Sequence, residues 1–205
     1  MLVERAPATD DGKPTVETAK RIQRYAARMN RLVGDLVDVA SIDAGKLAVS
    51  VTAGDMATLI AEAVDLFVVP AAAKGLTLRA ELAEPALRAD FDHDRMIQVL
   101  ANLITNAIKF TPEGGAIVVQ GERAGELVRV SVLDTGPGIQ ENMLETIFER
   151  FWQAAKNDRR GLGLGLYVSR CIVDAHGGAI WAEPTGGKGT RLVFSLPVRT
   201  PIAAS

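Results

Sequence analysis

The chain contains little cysteine and histidine, and this shortage excludes several kinds of site. Its 205 residues include one cysteine, so no internal disulfide can form, which favours a reducing cytoplasm. The two histidines, His93 and His176, and the single Cys171 cannot make a zinc site of usual composition without carboxylates. Cys171 falls in an apolar helical stretch, so we interpret it as a core residue rather than a nucleophile.

The sequence also lacks an excess of positive charge and an uninterrupted membrane span. Lysine and arginine number 23 against 25 aspartate and glutamate, so no bulk positive field attracts nucleic acid or an anionic membrane. The first residues have no apolar signal-peptide core, and the most apolar stretch, 56–73, is interrupted by Glu62, Asp65 and Pro70. We therefore expect a soluble, cytoplasmic chain that neither binds nucleic acid nor inserts into a membrane.

The N-terminal part of the chain predicts one long helix after a flexible tail. Residues 1–14 mix proline, glycine and aspartate without periodicity. From residue 15, apolar residues at sevenfold spacing and others interleaved with them form a narrow seam: Ile22, Tyr25, Met29, Leu32, Leu36 and Val39. Such a seam is typical of a helix that packs against other helices. Gly45 is expected to end this helix.

Residues 47–198 predict a globular domain of interleaved helices and strands, with a tail at 199–205. Helices are predicted up to residues 73 and 110, capped by Asp55 and Asp92, and a third over 163–176. Strands are predicted at 46–51, 76–82, 116–122, 127–134, 180–182 and 190–196. This alternation favours an α/β fold, a layered sandwich with a mixed sheet.

The helix that ends near residue 110 carries two asparagines on one face. Asn102 and Asn106 are four residues apart, and Lys109 follows on the adjoining turn. Mg²⁺ prefers hard oxygen ligands and keeps waters and phosphates in its shell, so one asparagine oxygen is a sufficient protein anchor for a Mg-nucleotide. An isolated pair of this kind is more often a solvated or capping face, and the pattern alone leaves both interpretations open.

A second motif places an acid at the end of an apolar strand, before two glycines. It reads Asp134-Thr135-Gly136-Pro137-Gly138-Ile139. The carboxylate can accept a hydrogen bond from an exocyclic amine such as that of adenine, and the glycines let the backbone approach a flat ring. Such a charge-assisted bond contributes roughly 1.5–3 kcal/mol, or about one to two decades of affinity. When the motif stands alone, a tight Asp-Gly turn between a strand and a helix is the more frequent explanation.

A third motif has glycines at alternate positions and opens a helix. It reads Arg160-Gly161-Leu162-Gly163-Leu164-Gly165-Leu166. Bare amides at a helix N-terminus, aided by the positive end of the helix dipole, can form a phosphate cradle. The spacing fits neither the P-loop nor the dinucleotide-binding fingerprint, so both of those phosphate-binding classes are poor matches.

Together, these segments resemble the N, first glycine, F and second glycine boxes of sensor histidine kinases, in the same order and spacing. The four matching segments are residues 102–112, 134–139, 147–151 and 161–166. A later Gly187-Lys188-Gly189-Thr190 resembles the last nucleotide-proximal turn of that family, so the resemblance covers about residues 47–198. Residues 29–47 resemble the second helix of its dimerisation and phosphoacceptor hairpin.

The resemblance implies a fold and a ligand. The fold is the two-layer α/β sandwich of the Bergerat type, a mixed sheet with helices on one face, preceded here by one long dimerisation-type helix. Residues 15–46 would be a partial dimerisation region, with a homodimer formed through residues 16–45. The ligand would be ATP with Mg²⁺, and the further partners a response regulator receiver domain and a phosphoacceptor-histidine helix of the parent kinase.

The resemblance also assigns roles to single residues. Asn106 would hold Mg²⁺, Asn102 and Lys109 would face the phosphates, and Asp134 would accept from the adenine amine, directly and through water near Thr190. The residues expected at the nucleotide are Asn102, Asn106, Lys109, Phe110, Asp134, Gly136, Gly138, Ile139, Arg160, Gly161, Leu162, Gly163, Leu164, Gly165, Leu166 and Thr190. The residues expected to act in catalysis are Asn102, Asn106, Lys109 and Arg150.

The segment from residue 151 to residue 160 would form a short, polar ATP lid. Mobile polar loops of this kind close over nucleotides in other enzymes. Arg150, Arg159 and Arg160, at its two ends, would offset phosphate charge. We therefore expect the nucleotide to lie between the asparagine-bearing helix, the Asp134 motif and this lid.

The chain departs from the family pattern on the acceptor side. The first hairpin helix should carry a histidine followed by an acid, yet no histidine precedes His93. We expect packing, capping or surface roles for His93 and His176. The sequence thus predicts either a piece of a longer kinase or a protein that phosphorylates a partner's histidine. Phosphoryl transfer depends mainly on positioning and charge stabilisation, which the ATP side supplies.

Two alternatives use the same fold. One is a protein serine or threonine kinase of the anti-sigma type, although such regulators need no hairpin helix. The other is a non-catalytic scaffold that binds ATP or dimerises, although intact Asn106 and Asp134 and the three glycines of residues 161–165 argue against decay of the site.

Overall fold

The computed structural model describes residues 13–153, 162–186 and 188–198. The helices are α1 (Lys13–Asp43), α2 (Met56–Ala73), α3 (His93–Phe110) and α4 (Gly165–Ala175). The strands are β1 (Thr52–Asp55), β2 (Thr77–Leu82), β3 (Arg88–Phe91), β4 (Ala116–Ala124), β5 (Leu127–Asp134), β6 (Ala179–Glu183) and β7 (Thr190–Pro197). Two short 3-10 turns, Glu141–Met143 and Thr146–Phe148, follow β5.

Helix α1 leaves most of its apolar seam exposed. The side chains of Ile22, Tyr25, Met29 and Leu36 are each more than half exposed. Toward its C-terminal end the helix contacts the rest of the chain, where Asp38 is 7% exposed. Its carboxylate accepts from Arg95 at 2.7 Å and from Gln98 at 2.6 Å, both on α3.

Asp55 organises the start of the globular part. It ends β1, caps α2 by accepting from the Ala57 amide at 3.0 Å, and accepts from the Leu87 amide at 2.8 Å. Strands β1 and β3 pair as an antiparallel two-stranded sheet beside the main one. The predicted strand at 46–51 is wrong: that segment is irregular, and the pairing with β3 begins at Thr52, because a strand requires a partner as well as alternation.

The main sheet has five strands in the order β2-β4-β5-β7-β6. Strands β2 and β4 run parallel, with α3 in the connection between them, and the other neighbours are antiparallel. The register places Asp134 opposite Ile117 on one side and opposite Thr190 on the other. The acid of the second motif therefore lies in the middle of the sheet, at the end of its central strand.

The core lies between this sheet and helices α2, α3 and α4, which cover one of its faces. Buried apolar residues alternate along β5, at Val128, Val130 and Val132, as expected for a strand whose one face packs against the helices. The apolar stripe of α3, at Leu100, Leu103 and Ile104, is fully buried. The predicted two-layer α/β sandwich with a mixed sheet, preceded by one long helix, is confirmed.

Helix α2 is, among the described residues, the one helix long and apolar enough to cross a membrane by length and composition, with a mean hydropathy of 1.7. One third of this helix is buried inside the domain. Met56, Leu59 and Ile60 on its inner side belong to the core, while Leu66 and Val69 on its outer side are exposed. The inner side of α2 thus forms part of the core of the sandwich.

His176 joins the end of α4 to the beginning of α3. Its ring is 9% exposed, its Nδ1 lies 2.7 Å from the Ile172 carbonyl oxygen, and its Nε2 lies 2.9 Å from the Asp92 amide nitrogen. Because the Asp92 N–H donates, Nε2 accepts and Nδ1 carries the ring hydrogen. The expected capping and packing role of His176 is therefore seen in the structure.

Replacing His176 with alanine is expected to lower the free energy of unfolding by about 1–3 kcal/mol, because the Asp92 amide loses its partner. Urea unfolding of the purified chain measures this effect. His93 is the matched control, since its side chain is 53% exposed and pairs at the surface with Glu62. His93→Ala should change stability by less than about 0.5 kcal/mol. Equal effects of the two substitutions would contradict the assigned role.

Candidate functional site

Helix α3 presents the first group of predicted site residues. Asp92 caps it by accepting from the Arg95 amide at 3.1 Å, and Thr111 ends it, its amide bonding to the Ala107 carbonyl. With one side of the helix fully buried, Asn102, Asn106 and Lys109 lie along its half-buried margin. The sequence prediction of one helix carrying all three is confirmed.

Asn102 connects α3 to α4. Its Nδ2 donates to the Gly165 carbonyl at 3.1 Å and to the Ser169 hydroxyl oxygen at 3.2 Å. Ser169 in turn donates to the same Gly165 carbonyl at 2.8 Å. Asn102 therefore fixes the first turn of α4 against the asparagine-bearing helix, and its predicted contact with phosphate stays a prediction.

Asn106 lies one turn further along the same helix and is half-buried. Within the described part of the chain the side-chain amide of Asn106 makes no hydrogen bond, whereas the side-chain amide of Asn102 makes two. A partly buried amide oxygen of this kind fits the needs of a hard cation that takes its other ligands from water and phosphate. No cluster of three or more histidine, cysteine or carboxylate ligands occurs among the described residues.

Lys109 and Phe110 form the last turn of α3 and contact each other. The Lys109 Nζ lies 4.7 Å from the centre of the Phe110 ring, within the range of a cation–π interaction. Phe110 is 36% exposed. A cation and a partly exposed aromatic ring therefore lie side by side at the end of α3.

Asp134 is 6% exposed at the end of β5. Its Oδ1 accepts from the Gly136 amide at 2.7 Å, and Thr190 hydrogen-bonds to the carboxylate through its backbone and its side chain. Burial raises the pKa of Asp134, and the hydrogen bonds from Gly136 and Thr190 oppose that rise. Asp134 is thus a desolvated acceptor held in a fixed orientation.

The turn before β7 closes tightly on the Asp134 motif. The Gly189 amide donates to the Gly136 carbonyl at 2.8 Å. A Cβ atom at Gly189 would lie 2.3 Å from the Asp134 carbonyl oxygen, and the residue has φ +104, so only glycine fits there. This contact explains why a glycine precedes Thr190, and it places Thr190 beside Asp134. Gly138 and the half-buried Ile139 continue the same loop.

A cleft of about 240 Å³ opens beside this loop. Its walls come from the segment after β5 and from the β6–β7 connection. The lining residues are Ile139, Gln140, Glu141, Leu144, Glu183, Pro184, Thr185, Gly186, Gly189 and Thr190. Three of them, Ile139, Gly189 and Thr190, belong to the motifs that the sequence assigns to the adenine end of the ligand.

The glycine run joins the F box to α4. Gly163 has φ +73, and a Cβ atom there would lie 2.4 Å from the Trp152 carbonyl oxygen, so this position requires glycine. Gly165 opens α4, where an added Cβ would lie 3.4 Å from the side chain of Asn102. Leu164 is buried, Leu166 is half-buried and Leu162 is 37% exposed. Residues 154–161, which include Arg159, Arg160 and Gly161 and most of the predicted lid, lie outside the described residues.

Arg150 contacts α1 in this structure. Its guanidinium pairs with the Asp43 carboxylate at the end of α1, donates to the Tyr167 hydroxyl at 2.6 Å and lies over the Tyr167 ring. The hydrogen bond from Arg150 lowers the pKa of Asp43, and the hydrogen bond to Asp43 raises the pKa of Arg150. The predicted role of Arg150 at the phosphates stays a prediction, and its observed role is to hold α1 against α4.

The structure brings the predicted motifs together. Asn102 joins the asparagine-bearing helix to Gly165, and Gly163 contacts the F box through the Trp152 carbonyl. The Phe110 carbonyl oxygen would lie 3.3 Å from a Cβ atom at Gly136, which joins the same helix to the Asp134 motif.

Two residues on α4 that support the site, Ser169 and Tyr167, belong to none of the sequence motifs. Ser169 lies four residues after Gly165, so helical spacing offered a weak signal that its hydroxyl faces Asn102. Tyr167 gave no local signal, because its partner Arg150 is 17 residues away in the chain.

Comparisons with known proteins identify the family of the chain. The family described as "Histidine kinase-, DNA gyrase B-, and HSP90-like ATPase" matches residues 91–200. The sensor histidine kinase WalK of Bacillus subtilis (strain 168) is 34% identical over 182 residues, which cover 86% of this chain and 30% of WalK. The chain spans 20% of the sensor histidine kinase TmoS of Ectopseudomonas mendocina and 51% of the sensory kinase SasA of Crocosphaera subtropica.

Solved structures of the histidine kinase ThkA and of ShkA are similar to this one. The nucleotide-free catalytic domain of ThkA is 36% identical, with a TM-score of 0.66 over 72% of this chain and 95% of that domain. ThkA in complex with the response regulator protein TrrA is 30% identical, with a TM-score of 0.72, and the match covers 96% of this chain and 55% of that one. Full-length ShkA in complex with AMPPNP is 29% identical, with a TM-score of 0.79, and the match covers 100% of this chain and 42% of ShkA.

The matched family spans more than half of the chain and contains the asparagine pair, Asp134 and the glycine run. The fold agrees with that of the ThkA catalytic domain over 72% of this chain. The chain therefore belongs to the histidine kinase-, DNA gyrase B- and HSP90-like ATPases, as the ATP-binding catalytic domain of a sensor histidine kinase.

Proposed function

We propose that this chain binds ATP with Mg²⁺ and directs the γ-phosphoryl group to a histidine on a separate phosphoacceptor helix. The observation that supports this proposal is that α3, which carries Asn106, contacts the first turn of α4 through Asn102 and the loop after Asp134 through the Phe110 carbonyl. Neither histidine of the chain suits the acceptor role. His176 has both ring nitrogens engaged in the fold, and His93 pairs with Glu62 at the far end of α3 from Lys109.

Asp134 would select the adenine end of the ligand. A buried carboxylate whose orientation is fixed by Gly136 and Thr190 accepts the hydrogen bond of an exocyclic amine, and guanine presents a carbonyl at the corresponding position. We therefore expect ATP to bind in clear preference to GTP. Phe110, at the end of α3, supports the flat face of the base.

Asn106 and Lys109 would hold the phosphate end. Asn106 offers its amide oxygen as the protein ligand of Mg²⁺, and the ion, when bound, neutralises charge on the phosphates. Lys109 adds a positive charge one turn later on the same helix. Asn102 acts beside them by holding Gly165, and therefore the helix N-terminus of α4, in place.

The transfer itself exchanges one bond for another. The bond between the γ-phosphorus and the oxygen that bridges it to the β-phosphorus breaks, while the unprotonated imidazole nitrogen of the acceptor bonds to that phosphorus. ADP leaves with the electron pair of the broken bond, and the phosphorylated ring releases its remaining proton from the other nitrogen to solvent. This chain contributes orientation and charge stabilisation, which carry most of the catalysis in phosphoryl transfer.

The partners follow from the same assignment. ThkA forms a complex with the response regulator protein TrrA, and we propose a receiver domain of this kind as the partner that takes the phosphoryl group onward. A cytoplasmic location fits the need for ATP and the single cysteine.

A homodimer is proposed through the exposed seam of α1. Ile22, Tyr25 and Met29 are 63%, 58% and 64% exposed, and burying them against a second copy removes this apolar surface from water. Sedimentation velocity is expected to show a dimer that becomes monomeric in the variant Met29→Glu. A wild-type chain that sediments as a monomer at high concentration would contradict this proposal.

A phosphotransfer assay tests the proposed function. The chain, γ-labelled ATP, Mg²⁺ and a separately produced helical hairpin that carries a phosphoacceptor histidine are incubated together. We expect label on the hairpin that is labile to acid and stable to base, as a phosphorus–nitrogen bond is, and no label with Asn106→Ala. Acid-stable label on serine or threonine would favour the anti-sigma alternative, and ATP binding without any transfer would favour the scaffold.

A further inference from the structure

Lys74 lies at the C-terminal end of α3, although it belongs to the turn that follows α2. Its Nζ donates to the carbonyl oxygens of Ile108 at 2.5 Å, Lys109 at 3.0 Å and Thr111 at 2.8 Å. One ammonium group has three donors, so a single side chain fully uses its hydrogen-bonding capacity on one helix end.

The last carbonyls of a helix have no partner within it and carry the negative end of the helix dipole. At α3 the Ala107 carbonyl is satisfied by the Thr111 amide at 2.9 Å and hydroxyl at 2.7 Å. Lys74 satisfies carbonyls of the following residues and places a positive charge beside them. The turn so held is the one that carries Lys109 and Phe110.

The backbone around Lys74 is fastened to the same region. The Gly114 amide donates to the Gly75 carbonyl at 3.0 Å, and the Thr77 amide donates to the Gly115 carbonyl at 3.0 Å. The turn at residues 74–77 and the loop at 111–115 therefore form one unit. Through the approach of the Phe110 carbonyl to Gly136, this unit also supports the loop after Asp134.

We propose that Lys74 is a positioning residue for the nucleotide. By holding the last turn of α3, it fixes Lys109 for the phosphates and Phe110 for the base. Its charge also offsets the negative helix end, which would otherwise face an anionic ligand. This inference rests on the proposed function, because it assumes that ATP binds beside Lys109 and Phe110.

Replacing Lys74 with methionine keeps an unbranched apolar stem, one atom shorter than lysine, and removes the three donors. The Kd for AMPPNP with Mg²⁺, measured by calorimetry well below the unfolding midpoint, is expected to rise about tenfold. Lys74→Arg, which retains donors and charge, should recover most of the affinity. Lys46→Met is the matched control: Lys46 is an exposed lysine on the turn after α1, and its replacement changes net charge equally. It should leave the Kd unchanged.

A double-mutant cycle separates positioning from mere stabilisation. If Lys74 acts through the last turn of α3, Lys74→Met should cost less affinity in a Lys109→Met background than in the wild type. Should Lys74→Met fold poorly, Lys74→Gln, which retains an amide donor, takes its place in the same cycle. A variant that lowers the urea midpoint yet binds AMPPNP as tightly as the wild type would overturn the inference. Wild-type protein that binds no AMPPNP would instead overturn the proposed function.

Discussion

Asp134→Asn is expected to raise the Kd for ATP by about 10- to 100-fold while leaving the ligand-free fold as stable as the wild type or more so. The loss of affinity follows from the chemistry of the acceptor. A charge-assisted hydrogen bond to the adenine amine contributes roughly 1.5–3 kcal/mol, and asparagine lacks the charge and presents a donor in its place.

The gain in stability follows from the direction of the pKa shift. Burial raises the pKa of Asp134 in the folded state above its value in the unfolded chain. Such a group stabilises the fold fully below its unfolded pKa, and that contribution is lost as the pH rises through the folded pKa. At neutral pH the ionised carboxylate therefore costs stability, and the neutral amide removes this cost. At about pH 3, below both pKa values, the difference between the two proteins should disappear.

Calorimetric titration with AMPPNP and urea unfolding at two pH values check both halves of this prediction. Asp65→Asn is the matched control, because Asp65 lies exposed on α2. This variant should keep the wild-type affinity for AMPPNP and the wild-type free energy of unfolding. An Asp134→Asn variant with unchanged affinity would show that the carboxylate does not touch the base. That result would favour the non-catalytic scaffold.

Asn106→Ala is expected to lower the rate of phosphotransfer by at least about 100-fold. Removing a residue that only hydrogen-bonds to a metal ligand already lowers metal affinity or activity by about 10- to 100-fold, and Asn106 is assigned as the ligand itself. The physical reason is that the amide oxygen is the protein's own contribution to the Mg²⁺ shell. The variant should bind ATP equally well with and without Mg²⁺, whereas the wild type should bind it more tightly with the ion.

Asn102→Ala provides the contrast on the same helix. It removes the two hydrogen bonds to Gly165 and Ser169, so we expect a lower unfolding free energy while the response of binding to Mg²⁺ is preserved. Titrations with AMPPNP at zero and millimolar Mg²⁺ measure this response directly. If Asn106→Ala retained it and Asn102→Ala lost it, the roles of the two asparagines would be exchanged.

Local sequence signals predicted most of the fold. Asp55 and Asp92 cap the helices that they were expected to cap, and β5 has the predicted bounds, because these features depend on neighbouring residues. Strands β1 and β3 were missed, since each has only four residues and they pair across 33 to 39 positions of sequence. The pattern at residues 46–51 alternates without such a partner.

In the site, too, local spacing was predictable from the sequence and tertiary contacts were not. The motifs identified Asn106, Asp134 and the glycine run, whose spacing is local. Tertiary contacts decided the rest: Asn102 is engaged by Gly165, and Arg150 by Asp43 at a separation of 107 residues. No sequence pattern signals that the ammonium of Lys74 reaches α3, because its acceptors are backbone carbonyls, which every residue possesses.

The central claim is that residues 91–200 form a working nucleotide site, and one titration tests it most directly. The wild-type chain is titrated in a calorimeter with AMPPNP and Mg²⁺ up to millimolar ligand, and with GTP in parallel. We predict saturable binding of AMPPNP with one site per chain and markedly weaker binding of GTP. No detectable heat with AMPPNP at millimolar concentration, or equal binding of both nucleotides, would contradict the assignment of Asp134 and the function built on it.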